Sequence, residues 1–349
     1  MAIIIFILIL TSLVLVHELG HFIAAKRNGI LVEEFGFGYP PRIFGIKIGE
    51  TLYSLNLIPL GGFVKLYGEE YQEKLNKKIK DRSFVSKKPL QKTVVIVAGI
   101  IGNFLLGWVL ISYLFINGVP VPTNKVIIDK VVQNSPAYYV GLKKKDVILK
   151  LENTSLTTTN ALISLTKKYA GQSITLAIQR NNQVFPIIVT PRKNPPKDEG
   201  SLGIIITSFE EKKYTWYQAP FYGLIEASNI TKTIITELSK TLYQFITFKK
   251  PTVEVAGPIG IAHFTSEAIK FGKNAVLELM ALLSLNLAVV NLLPFPALDG
   301  GKLIMVVYEA ITKRRVNPKL EKELNLIGFF ILLAIAVLIS VHDIIKIYK

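Results

Sequence analysis

The chain has 349 residues, 50% of them hydrophobic, and a mean hydropathy of +0.41. It contains no cysteine, which excludes disulfides, thiolate metal ligands and a cysteine nucleophile. A net charge of +16 would suit nucleic acid, yet its Lys and Arg crowd beside apolar runs, so the expected partner is membrane lipid and not nucleic acid.

Residues 2–25 form the first apolar run. It lacks the basic start and small-residue cleavage pattern of a secretory signal and reads as a retained span. Within it stands His17-Glu18-Leu19-Gly20-His21. Ionisable groups in hydrocarbon are costly and usually functional. Residues four apart share a helix face, so His17 and His21 can reach one metal ion. Glu18 lies about 100° around the helix, placed to act on a water as general base. The chain has 4 histidines, and this pair takes two of them. His263 and His342 are expected to be structural or interfacial.

Further along, Leu52, Ser54 and Asn56 alternate with Tyr53, Leu55 and Leu57. With Gly61-Gly62 permitting close backbone approach, residues 46–66 fit extended, strand-like backbone. Lys77, Lys78, Lys80, Arg82, Lys87, Lys88 and Lys92 then precede a charge-free run over 93–116, which as a helix covers about 36 Å, enough to span. Residues 1–116 are therefore taken as two spans joined by a cytoplasmic loop.

Between 123 and 207 the character changes to short β-branched runs with turn signals at Asn134-Ser135-Pro136, Gly141 and Asn153. GQSITLAIQRNNQVFPIIVTPR predicts a hairpin turning at Asn181-Asn182. SPAYYVGLKKKDVILKL resembles a bacterial, circularly permuted PDZ domain, which implies that an extended peptide or C terminus is taken up by strand addition. Over 215–250, Phe221, Leu224, Ile225, Ile235, Leu238, Leu242, Phe245 and Ile246 share a helical face, while Glu226, Lys232, Glu237 and Lys240 interrupt it. An amphipathic interfacial helix is expected there.

Residues 251–349 hold two more runs, 275–293 and 324–345. Pro294 and Pro296 break the first, and Gly300-Gly301 after Asp299 are expected to allow tight turns. Irregular backbone at membrane depth is tolerated where protein or a water cavity surrounds it. Asp299 alone could be a loop-capping aspartate; paired with the two histidines it reads as the third metal ligand. Asn291 could bind substrate or an oxyanion, or make an interhelical hydrogen bond, and its residue type does not decide between them. Lys313, Arg314, Arg315, Lys319 and Lys322 separate the last two runs. Both basic loops are expected in the cytoplasm, with the termini and 117–274 outside a bacterial inner membrane.

His17-Glu-Leu-Gly-His21, PLGGFVKL (59–66), VAGIIGNF (97–104), the PDZ-like insert, AGPIGIA (256–262) and NLLPFPALDGG (291–301) occur in this order. Together they resemble the site-2 protease family of intramembrane zinc metalloproteases. The single insert resembles the one-PDZ members of its regulator-of-sigma-E protease group. Ile100 and Gly102 stand where members often carry other residues, which touches nothing catalytic. The resemblance implies a polytopic α-helical membrane protein with about four transmembrane helices, an extracytoplasmic β-rich PDZ-like domain and a membrane-associated β-hairpin. It implies zinc on His17, His21 and Asp299, water activation by Glu18, and substrate binding by Asn291 and by the hairpin carrying Gly61 and Gly62. It also implies substrates that are single-span membrane proteins, such as pre-trimmed anti-sigma factors or remnant signal peptides. The competing readings are a non-catalytic PDZ-bearing scaffold and a metal-binding transporter. The complete His, Glu and Asp set argues against the first, and four spans without repeat halves argue against the second.

Overall fold

A computed structural model describes residues 1–69, 79–196, 199–247, 249 and 256–347. Lys77, Lys78 and residues 251–255, at the start of the expected last segment, lie outside the described residues, as do the side chains of Phe245 and Ile246. In chain order the elements begin with α1 (Ala2–Arg27), β1 (Val32–Ile48), β2 (Thr51–Leu66) and α2 (Pro89–Asn117). Then come β3 (Val119–Val131), α3 (Pro136–Tyr139), β4 (Val147–Leu151), β5 (Thr154–Ser155), α4 (Thr159–Lys168), β6 (Ile174–Arg180), β7 (Gln183–Val189) and β8 (Ile204–Lys212). The chain continues through α5 (Ala219–Ile246), α6 (Pro258–Phe271), α7 (Lys273–Asn291), α8 (Asp299–Thr312) and α9 (Pro318–Ile347). Two compact units result: Met1–Ile116 with Thr215–Lys349, and Asn117–Tyr214.

In the first unit, α1, α2, α7 and α9 are long and apolar enough to cross a membrane, in agreement with the four runs. Helix is the natural state for such segments, because it satisfies every backbone polar group internally. The helices approach through small residues: a Cβ on Gly20 would fall 2.2 Å from the Ala98 carbonyl oxygen, and one on Gly102 2.9 Å from that of Val16. Ser284 Oγ donates to the Asn103 carbonyl at 2.7 Å and ties α7 to α2. Ile111, Ala227, Ala281 and Leu285 form a buried cluster from α2, α5 and α7. Helix α5 packs with Ala219, Gly223, Ala227 and Thr241 buried, and leaves Phe221, Leu224, Ile225, Ile235 and Leu242 exposed.

The antiparallel sheet of β1 and β2 starts at Val32, well before the strand segment read from 46 onward. Its register is folded: Phe35 lies opposite both Val64 and Tyr53, and Gly36 opposite both Phe63 and Ser54. The first half of β1 is thereby flanked by both halves of β2. Thr51, Ser54 and Asn56 point inward and are buried. Thr51 Oγ1 donates to the Val32 carbonyl, and Asn56 Nδ2 to that of Gly38. Ile43, Phe44, Ile46, Ile48, Leu55 and Leu57 point outward and are exposed. Arg82 forks onto Glu50 at the hairpin turn and holds its carboxyl below the usual carboxylate range.

The second unit is a sheet ordered β7-β6-β4-β3-β8, with β5 beside β4. Val126, Ile128, Ile148, Leu151, Ile174, Leu176 and Ile178 lie in its core with Leu162 of α4. Ser135 and Thr158 cap α3 and α4 by accepting from the Tyr138 and Ala161 N–H groups. Asn181 and Asn182 both take positive φ between β6 and β7, the two-residue turn that the asparagine pair predicts. Buried Asp146 accepts from Arg180 Nε and Nη2, each at 2.6 Å, and fixes the turn before β4.

Candidate metal centre

Helical spacing on α1 stacks His17 above His21, with ring centroids 4.7 Å apart and nearly perpendicular. Asp299 reaches the same point from the opposite end of the sequence. Helix α7 ends at Asn291, a loop carries Pro294 and Pro296, and Asp299 is the first residue of α8, where the positive end of the helix dipole favours a carboxylate. Gly300 and Gly301 make no turn of their own. They sit in the first turn of α8, where a Cβ would fall 2.1 Å from the Leu293 carbonyl oxygen and 2.4 Å from that of Phe295. Ala297 makes the turn, with φ +71, a conformation that costs a non-glycine residue about 1–2 kcal/mol.

The three donor atoms form a nearly equilateral triangle. His17 Nε2 lies 3.1 Å from His21 Nε2 and 3.0 Å from Asp299 Oδ2, and His21 Nε2 lies 3.2 Å from that oxygen. Tetrahedral zinc with ligands at about 2.0–2.1 Å spaces them by about 3.3–3.4 Å, so the triangle has the size of a metal face. Asp299 Oδ2 is buried without a hydrogen-bond donor, as a carboxylate oxygen aimed at a cation would be. Two imidazoles and one carboxylate are a donor set that suits zinc and leaves a fourth position open.

The far side of each imidazole sets its tautomer. His21 Nδ1–H donates to the Val95 carbonyl at 2.8 Å, leaving Nε2 with its lone pair. Fully buried Asn103 places its amide nitrogen 3.4 Å from His17 Nδ1, while its own Oδ1 has no donor. Rotating that amide by 180° lets Nδ1–H donate to Oδ1 and frees Nε2 of His17 in the same way. Gly99 completes the cradle: a Cβ there would fall 2.3 Å from His21 Nε2 and 2.9 Å from His17 Cε1.

Glu18 lines the same cavity, of about 90 Å³, with His17, His21, Asp299, Glu69 and Lys302. Lys302 donates to Glu69 at 2.6 Å, and Lys92 of α2 pairs with Glu309 two turns further along α8, also at 2.6 Å. Gly62 lies against Glu18, whose Cγ would be 3.6 Å from a Cβ at that position, and Gly61 (φ +147) packs on the Tyr39 ring. Asn291 Nδ2 lies 3.4 Å from His17 Nε2. The structure thus gathers His17, Glu18, His21, Asp299, Asn291 and Gly62 around one point, with Gly61 one residue away. His263 and His342 are exposed, and neither lines this cavity. The sequence motifs did not single out Gly99, Asn103, Glu69 or Lys302, although VAGIIGNF contains the first two.

The model of peptidase family M50 matches residues 5–335. The chain belongs to peptidase family M50. A chain of Clostridium perfringens, provisionally named a zinc metalloprotease, is 36% identical to this M50 peptidase over 99% of both chains. The regulator of sigma-W protease RasP of Bacillus subtilis is 29% identical over 98% of both. The zinc metalloprotease RasP of Geobacillus kaustophilus is 28% identical, over 99% of this chain and 98% of its own. Among solved structures, the PDZ domain of an SdrC-like protein of Listeria monocytogenes covers 26% of this chain and 94% of its own. Its TM-score of 0.22 and identity of 17% carry no argument. This M50 peptidase is a membrane protein and a zinc metalloprotease of the site-2, intramembrane type. Its membership of a peptidase family sets the scaffold and transporter readings aside.

Proposed function

We propose that the protein hydrolyses peptide bonds inside the membrane-spanning segments of single-span proteins in a bacterial inner membrane. The observation that carries this reading is the convergence of His17, His21 and Asp299 with Glu18 in one cavity beside Gly62. The three converging residues would hold zinc, which supplies carbonyl polarisation and acidifies a water in its open position. Glu18 takes the proton of the attacking water and passes it to the leaving nitrogen as the C–N bond breaks. Asn291 donates from its amide to the substrate carbonyl oxygen as negative charge develops there.

A helical peptide bond is shielded by its own turn, so the substrate must be drawn out first. The edge of β2 around Gly61 and Gly62 would supply a backbone for strand addition next to Glu18. The outward apolar residues of the β1–β2 sheet and its inward polar ones are the reverse of a soluble sheet. That pattern supports a membrane-associated hairpin. The basic loops support a cytoplasmic position for the metal side, with the termini and the 117–214 unit extracytoplasmic. In this reading that unit is a PDZ-like domain that screens substrates by size or binds a freshly cut end. The amphipathic α5 rests at the outer interface. The substrates are pre-trimmed anti-sigma factors, a class in keeping with a Bacillus subtilis relative named regulator of sigma-W protease, or remnant signal peptides. The test is a Glu18→Gln variant in bilayers with a single-span substrate. It should retain zinc and lose cleavage by about 10²-fold or more; cleavage at the wild-type rate would remove Glu18 from the chemistry.

A further inference from the structure

We propose that Asn325 of α9 is a positioning residue for the metal site: it holds the proline loop in the shape that delivers Asp299 to His17 and His21. The proposal rests on the reading of Asp299 as a ligand.

Helix α9 is the least embedded of the four long apolar helices. Of its most apolar stretch 6% is buried, against 22%, 39% and 28% for α1, α2 and α7. Among its described residues only Gly328 and Asp343 are buried, about 22 Å apart along the helix. They mark two attachments. At the second, Asp343 accepts from the Gly257 and Gly260 N–H groups at 2.9 and 2.8 Å and secures the start of α6.

The first attachment falls on the loop before Asp299. Gly328 meets that loop so closely that a Cβ would fall 2.6 Å from the Pro296 carbonyl oxygen. One turn earlier, Asn325 Oδ1 accepts from the Ala297 N–H at 3.1 Å. Ala297 is the residue at φ +71, two positions before the ligand. A non-glycine residue persists in that region only where its surroundings determine it. An amide N–H at membrane depth also needs a partner within the protein. One side chain meets both demands. Because α9 has so little other burial, the shape of the loop depends on a hydrogen bond from a helix that is otherwise lightly held.

The experiment measures zinc release from the full chain in detergent into a chromogenic chelator, for wild type, Asn325→Leu, Asn325→Asp and Asp299→Ala. Leucine keeps the volume and removes the acceptor; aspartate keeps the acceptor. Asn325→Leu should release zinc about tenfold faster, the lower end for residues that support metal ligands, and Asn325→Asp should stay within about twofold of wild type. If the leucine variant does not accumulate as monodisperse protein, Asn325→Ala replaces it with the same expectation. Release at the wild-type rate without the acceptor would overturn the proposal, as would equal loss from the leucine and aspartate variants. Asp299→Ala separates the two levels of the argument. If it loses zinc while Asn325→Leu does not, only the positioning role falls; if it holds zinc like wild type, the ligand reading falls and takes this proposal with it.

Discussion

Gly99 and Asn103 sit one turn apart on α2 and meet the two histidines, Gly99 at the metal-facing Nε2 of His21 by having no side chain and Asn103 at the far Nδ1 of His17 by its amide. Any Cβ at position 99 meets His21 Nε2 at 2.3 Å, and neither the ring nor the helix backbone can yield that far. Gly99→Ala should therefore abolish stoichiometric zinc binding while the helical circular dichroism is kept; a full zinc complement would mean that the rings can move aside. Asn103 acts on the tautomer, so the two substitutions that matter differ in the acceptor. Asn103→Asp preserves it and should hold zinc nearly as wild type. Asn103→Leu should weaken zinc by about 10–100-fold, read by competition with a chelator. The convergence of His17, Glu18, His21 and Asp299 on one cavity was foreshadowed in the sequence because ionisable groups in or beside apolar runs stand out. Gly99 and Asn103 carry no charge and act only through a tertiary contact, so their residue types alone did not disclose them.

Lipid changes which face of an element is buried. Helix α5 shows this: of the large apolar residues read as its face, Phe221, Leu224, Ile225, Ile235 and Leu242 are exposed, and Ala219, Gly223 and Ala227 are buried instead. Apolar solvent gives no drive to hide Phe or Leu, so close approach through small residues decides the packing. The same inversion hid β1 before residue 46, where outward Ile43 and Phe44 stand side by side and match no soluble alternation. It also explains α8, which was hidden behind Pro294, Pro296 and two glycines that read as breakers. That helix is fastened by the Lys92–Glu309 pair, whose side chains are 4% and 18% exposed. Removing one partner strands the other charge: Glu309→Met should cost about 3–5 kcal/mol and lower the thermal midpoint in detergent. The double replacement Lys92→Met with Glu309→Met should recover most of that loss. If the double variant is as unstable as the sum of the two single ones, the pair is not the fastening.

The two units share one chain but have separate interiors. Within Asn117–Tyr214 the core cluster comes entirely from its own strands and helices. Its first and last strands pair along their outer ends, Val119 opposite Lys212 and Pro120 opposite Glu211. Paired Cα atoms lie about 5 Å apart, so the chain leaves and returns at nearly one place. The insert can therefore be cut out and Ile116 joined to Thr215 by a few Gly and Ser residues without stretching either end. None of the three side chains proposed to hold zinc, nor Asn103, Gly99 or Glu18, lies within the excised span. The shortened protein should bind zinc at the wild-type stoichiometry and cleave a single-span substrate that is already trimmed to its membrane segment. Matched substrates differing only by a folded ectodomain then test what the unit contributes. If it screens by size, wild type should cleave the trimmed substrate far faster, and excision should bring the two rates within a few fold of each other. Undiminished discrimination in the shortened protein would place the filter among the membrane helices, and loss of zinc would show that the two units fold as one.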